Sequence, residues 1–156
     1  MSADNVIFRQ ARREDLEKIV SILADDELGQ TREDPSLPLA AEYLSAFKAI
    51  DTDAKQLLAV IEIDGEVAGT LQLTCLPGLS RFGSWRGQIE AVRIARDHRG
   101  GGLGHRVFAW AIDQCRKRGC RLVQLTTDKS RPDAFRFYEQ LGFTASHEGF
   151  KLQLED

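Results

Sequence analysis

Apolar and polar positions divide this chain into segments of clearly different period. Val6 to Ala11 reads as a strand. Glu14 to Ala24 reads as a helix, with Leu16, Ile19, Val20 and Leu23 at helical spacing. Asp25 to Ser36 is polar and acidic, a loop. A second helix is expected from Pro38 to Ile50, with proline at its start and Ala40, Tyr43, Leu44 and Phe47 on one face. Gln56 to Ile63 and Glu66 to Thr74 are strands, and the Asp64-Gly65 between them predicts a tight hairpin and antiparallel pairing. Val67, Gly69, Leu71 and Leu73 alternate toward one face. Pro77, Gly78 and Gly83 mark the loop before a strand from Trp85 to Ala95.

The second half changes character. A glycine-rich turn leads into a helix from Leu103 to Arg118, whose last turn is basic and which Gly119 can cap. Arg121 to Thr126 is a strand; the intervening helix makes it a parallel neighbour of the strand before. After a loop at Asp128 to Arg131, a helix runs from Pro132 to Leu141-Gly142, with Phe135, Tyr138 and Leu141 on one stripe. Phe143 to Ser146 and Phe150 to Leu154 read as closing strands. A hairpin followed by a βαβα order gives an α+β fold on a mixed sheet. There is no internal repeat or linker, so residues 1–156 are expected to form a single domain.

The densest chemistry lies at Arg99-Gly100-Gly101-Gly102-Leu103-Gly104. A strand, a glycine turn and a helix in succession make a phosphate cradle. Glycines let an anion approach the backbone, and the N–H groups that open a helix carry the positive end of its dipole. Arg99 adds a guanidinium that can fork onto phosphate oxygens. The alternative is an ordinary tight turn, which four glycines within five residues make the weaker reading.

Composition narrows the partners. Formal net charge is −3, and basic residues gather near the glycine turn (Arg93, Arg96, Arg99, Arg106). That pattern suits a small polyanion and argues against nucleic acid. Met1 to Arg13 lacks the apolar centre of a signal peptide, and the longest apolar run, Leu57 to Ile61, is too short for a bilayer. Three cysteines, Cys75, Cys115 and Cys120, form no paired framework and no zinc spacing. A cytoplasmic protein that does not engage membranes is the expectation.

Three ligand classes use glycine turns. A P-loop needs Gly-Lys-Ser/Thr, whereas Gly104 is followed by His105-Arg106. A dinucleotide fold needs different glycine spacing and a parallel first half, which the hairpin forbids. The third class fits. Val92-Arg93-Ile94, then Arg99 with Gly102 and Gly104, then Phe137-Tyr138-Glu139-Gln140-Leu141-Gly142-Phe143 together resemble the GNAT superfamily of acetyl-CoA-dependent N-acetyltransferases.

That resemblance implies a mostly antiparallel sheet of about six or seven strands with about four helices, and a parallel pair that splays, often at a bulge. Pantetheine would pair with the backbone of Val92, Arg93 and Ile94. The pyrophosphate would lie on the amides of Gly100, Gly101, Gly102, Leu103, Gly104 and His105, with Arg99 beside it. Tyr138 would act as general acid toward the departing thiolate, or else simply pack its ring in the helix stripe. Glu90 would be the general base; it precedes Val92 by two residues on a face otherwise read as apolar. The alternative for Glu90 is a surface carboxylate paired with Arg86 or Arg93, since a bulge can change its face. Where many members carry an asparagine, this chain has Asp128-Lys129-Ser130-Arg131. Asp128 or Ser130 would replace that asparagine as a cofactor contact, or the contact is absent; Ser130 is otherwise a helix cap. His98 and His147 are left as surface residues.

The expected chemistry is direct attack of a deprotonated amine on the thioester, with no covalent enzyme intermediate and no catalytic cysteine. The acidic connector Asp25, Asp26, Glu27, Glu33 and Asp34 would draw a cationic acceptor, or is merely a solvated loop. Homodimerisation is implied by the resemblance alone. A non-catalytic acyl-CoA-binding sensor or interaction module is the competing reading. Retention of both Glu90 and Tyr138 speaks against it.

Overall fold

The computed structural model describes residues 5–154. They fall into two compact units, one ending at Gln124 and the other beginning at Leu125.

The first unit is a five-stranded sheet in the order β1-β2-β3-β4-β5, built from β1 (Val6–Gln10), β2 (Gln56–Ile63), β3 (Glu66–Leu76), β4 (Trp85–Ile94) and β5 (Cys120–Gln124). The first four pair antiparallel, and β4 pairs parallel with β5. Asp64 and Gly65 close the β2–β3 hairpin with φ of +52° and +82°. Both central residues of a tight hairpin turn need positive φ, which Asp-Gly supplies cheaply.

Six helices accompany the strands among the described residues: α1 (Leu16–Ala24), α2 (Gly29–Arg32), α3 (Ala41–Asp51), α4 (Ser80–Gly83), α5 (Leu103–Lys117) and α6 (Pro132–Gln140). A 3-10 turn, Arg13–Asp15, leads into α1, so the expected first helix is right in place but not regular at its start. The second long helix begins at Ala41 rather than at Pro38, and the acidic loop holds the single turn α2. α4 is helical in name only, since Arg81 and Phe82 inside it are left-handed.

The two sheet faces are covered differently. α5 buries Leu103, Val107, Phe108, Ala111 and Cys115, a stripe at helical spacing. It lies on the face that carries Phe8, whose ring stacks on Trp110 at 5.3 Å. Cys115 also fills the space over Gly87. α1 takes the opposite face: Ile19 packs with Ala11 and Val60, joined at the edge by Leu23, Phe47 and Leu58. Each such fully buried aliphatic side chain is worth about 1.5–3 kcal/mol of burial. Arg9 is held on this second face by Asp15, at 2.7 and 2.9 Å, and by Glu62 at 3.1 Å.

The second unit contains α6 and the irregular chain around it. The expected closing strands at 143–146 and 150–154 are not formed, so the sheet has five strands rather than six or seven. Phe150, Leu152 and Leu154 alternate as a strand would, but all three are exposed. Period two marks which side chains could share a face; only a hydrogen-bonded partner turns that pattern into a strand.

Candidate functional site

β4 and β5 pair only from Trp85 to Gln88, opposite Cys120 to Gln124. Beyond the Gln88–Gln124 rung β4 continues to Ile94 along β3 alone, so its other edge carries no strand among the described residues. Edge backbone groups of this kind are ready to pair with an inserted extended chain. The positions expected to meet pantetheine, Val92, Arg93 and Ile94, lie on this stretch.

A bulge sits immediately beside the fork. Thr70 faces Arg93 and Gln72 faces Glu90, so Leu71 of β3 opposes both Ala91 and Val92. Ala91 takes φ +54°, a left-handed conformation that costs a non-glycine residue about 1–2 kcal/mol. Strain of this kind persists where the surroundings impose it and gathers at functional positions.

The extra residue changes the phase of the strand and corrects the reading of Glu90. Glu90 does not share a face with Val92 and Ile94, nor is it buried. Its neighbours on that face are Gln88, Gln72 and Arg93. Neither surface pairing proposed for it forms: Arg93 places Nε 3.0 Å from Asp26 Oδ2, and Glu90 makes no ion pair or side-chain hydrogen bond among the described residues. An exposed carboxylate whose neighbouring cation, Arg93, is paired with Asp26 is available to an incoming ammonium group.

The glycine turn follows. Gly100 and Gly102 have φ of +86° and +78°, which glycine adopts without penalty. A Cβ built on Gly100, Gly101 or Gly102 would meet no atom within 4 Å, so the space over the turn is open. Gly102 is the N-cap of α5, and Leu103 and Gly104 begin the helix. The first regular helix bond is from Arg106 N to Gly102 O, at 3.5 Å. The N–H groups before it point out of the helix end, as a bound anion requires.

The arginines near the turn are occupied with backbone and connector. Arg99 Nε donates to Ile94 O at 2.8 Å and Nη2 to Asp25 O at 3.4 Å. Arg96 pairs with Asp25 at 3.2 Å. The acidic connector is largely committed inside the protein as well. Besides those pairs, Asp26 accepts from Gly29 N, Glu33 from Tyr43 Oη at 3.0 Å, and Asp34 from Ser36. Sequence reading missed this pairing between the basic stretch and the connector; its signal was the opposite charge of the two segments.

In the second unit, Tyr138 is half-buried, its ring edge-on to Phe137 at 5.5 Å and to Phe143 at 6.1 Å. Ser130 does not cap α6. Its N–H and hydroxyl both donate to Asp128 Oδ1, and Arg131 is the N-cap. His105 lies exposed in the first turn of α5.

The sequence matches the Acetyltransferase (GNAT) family over residues 14–143. It is 34% identical over 91 residues to the aminoalkylphosphonate N-acetyltransferase of Salmonella typhimurium, covering 58% of this chain and only 58% of that relative's length. An acetyltransferase of Agrobacterium fabrum is 30% identical over 127 residues, 81% of this chain and 82% of the relative. Among solved structures, a transcriptional regulator from Bacillus halodurans superposes with a TM-score of 0.93 at 50% identity, over 96% of this chain and 100% of the other. Among the described residues no helix is long and apolar enough to cross a membrane. With a forked parallel pair, a bulge and a glycine turn in succession, and the family matched along most of its length, this chain belongs to the GNAT family of acetyltransferases.

Proposed function

We propose that this protein is a single-domain N-acetyltransferase that moves the acetyl group of acetyl-CoA directly onto a primary amine of a small molecule or peptide. The observation that carries the reading is the opening of the sheet past Gln88 and Gln124, with the Ala91 bulge on one lip and the glycine turn directly after the strand. Those features suit acetyl-CoA: an unpaired strand edge for the pantetheine amides, and outward N–H groups at Gly100 to His105 for the diphosphate. Arg99 holds the end of β4 to the turn through Ile94 O and so positions the cradle.

Bound there, the thioester supplies an acyl carbon open to attack. Glu90 takes the proton of the acceptor ammonium, which otherwise holds it up to a pKa of about 10. Backbone N–H near Val92 polarises the thioester carbonyl, and Tyr138 returns a proton to the departing sulfur. Ser130 is a lesser cofactor contact. No metal enters the scheme.

The test is thiol release from acetyl-CoA across an amine panel. Tyr138→Phe should lower kcat more than it raises KM for acetyl-CoA. Glu90→Gln should lower kcat/KM for the amine most strongly below the amine's own pKa. A second reading draws on the Bacillus halodurans neighbour being described as a transcriptional regulator: a non-catalytic acyl-CoA sensor. Saturable coenzyme A binding with no amine acetylated, and no effect of Tyr138→Phe, would favour it.

A further inference from the structure

Gln56, Thr74, Gln88 and Gln124 lie in one register row across β2, β3, β4 and β5, and Gln72 lies in the next row, directly opposite Glu90. We propose that this row of amides is the specificity-determining floor of the acceptor site, and that it takes a neutral hydrogen-bonding group, a hydroxyl or an amide, carried on the amine. The inference rests on the acetyltransferase reading above.

The row is linked internally but not saturated. Gln56 Oε1 accepts from Gln72 Nε2 at 3.1 Å and from Thr74 Oγ1 at 2.9 Å, and Gln88 Oε1 accepts from Gln124 Nε2 at 3.0 Å. A primary amide carries two donor hydrogens and an acceptor oxygen. The Nε2 groups of Gln56 and Gln88 and the Oε1 atoms of Gln72 and Gln124 therefore have no side-chain partner among the described residues. All five side chains are half-buried, so each unused group gains from a ligand partner more than it would at an open surface.

Position connects the row to the chemistry. Gln88 and Gln124 are the last rung before the strands part, and Glu90 is the next β4 residue on the same face. Two residues along a strand span roughly 6.7 Å. An amine at Glu90 thus places a substituent three or four bonds away over the Gln88–Gln124 rung, with Gln72 beside the amine itself.

The unsaturated amides favour a neutral substituent. Arg93, the cation nearest Glu90 on this face, is held by Asp26. Arg86 lies on the far side of the rung, with Nη1 turned against Gly78. The rung between them offers the amides of Gln88 and Gln124 and, in the same row, the Thr74 hydroxyl, all of which hydrogen-bond a neutral dipole without carrying charge themselves.

The test compares kcat/KM with acetyl-CoA for three matched sets: glycinamide and 2-amino-1,3-propanediol, then propylamine and isopropylamine, then glycine and aminomethylphosphonate. With kcat/KM expressed per free-base amine, the neutral polar set should exceed the apolar set by about tenfold or more, because a site built around hydrogen bonds rejects analogues that cannot make them. Gln88→Met and Gln72→Leu should each collapse that ratio toward unity, chiefly through KM for the amine. Coenzyme A titration of each variant reports separately on the fold. Preference for the apolar or the anionic set, or a ratio untouched in both folded variants, overturns the floor alone. Absence of turnover with every amine overturns the acetyltransferase reading and the floor with it.

Discussion

Gly87→Ala tests how closely α5 is seated on β4. Gly87, opposite Val123 and one rung short of the fork, is buried, and its missing side chain leaves room for Cys115 of α5. An added Cβ would run into Cys115 Sγ, with Cys115 Cβ 3.2 Å and Cys120 Sγ 3.6 Å away. Cys115 is 0% exposed, so its sulfur cannot swing into solvent. Overpacking of this kind costs about 1–3 kcal/mol. For a chain of this size that lowers Tm by roughly 2–12 °C. The structure makes a sharper demand through a double-mutant cycle. Cys115→Ala removes the colliding sulfur and by itself leaves a small cavity worth about 1 kcal/mol. In Gly87→Ala/Cys115→Ala the new methyl enters the volume the sulfur vacated, so the double variant should be more stable than the sum of the singles by at least about 1 kcal/mol. Urea unfolding of the four proteins gives the coupling energy. Additive losses would mean that the two residues do not share this space, and would refute the close seating of α5 on β4.

Other outcomes follow from single observations. Gly102→Ala, at φ +78° with open space around it, should cost only about 1 kcal/mol of stability yet weaken coenzyme A binding about tenfold; calorimetry showing unchanged affinity would remove the cradle from the site. Asp15, 8% exposed, is held below the ordinary carboxylate pKa chiefly by its hydrogen bond from Arg9, against the opposing cost of burial. Its contribution is therefore complete above pH about 4 and is lost as pH falls through its depressed native value. Asp15→Asn should lower Tm at neutral pH and lose that disadvantage in acid; a constant difference across pH would contradict this. Burial pushes the thiol pKa of Cys115 up to about 12 and of Cys120 to about 11, so the native protein should react slowly with Ellman's reagent at pH 8 and release all three thiols only on unfolding.

Much of the fold was legible in local pattern, because period and turn chemistry act over a few residues. The hairpin at Asp64-Gly65, the extent of β2, the parallel β4–β5 pair and the cap at Gly119 all follow from signals contained in their own segments. The start of α3 was less legible: proline suits a first helical turn, but helix began three residues after Pro38. The closing strands failed for a different reason. Alternation at Phe150, Leu152 and Leu154 describes a face, and no ladder among the described residues receives it.

At the candidate site the division is sharper. The glycine turn, its helix and the aromatic stripe of α6 are sequence properties, since each depends on backbone freedom or spacing within one segment. The face of Glu90 is not, because one left-handed residue at Ala91 reverses the alternation, and that residue is imposed by the register against β3. Nor could spacing alone show Arg93 and Arg96 turning to Asp26 and Asp25, or polar side chains from four strands meeting in one row, since those pairs come from distant stretches of chain. Local chemistry set which elements form and where an anion can rest; strand register and helix seating decided which side chains share that space.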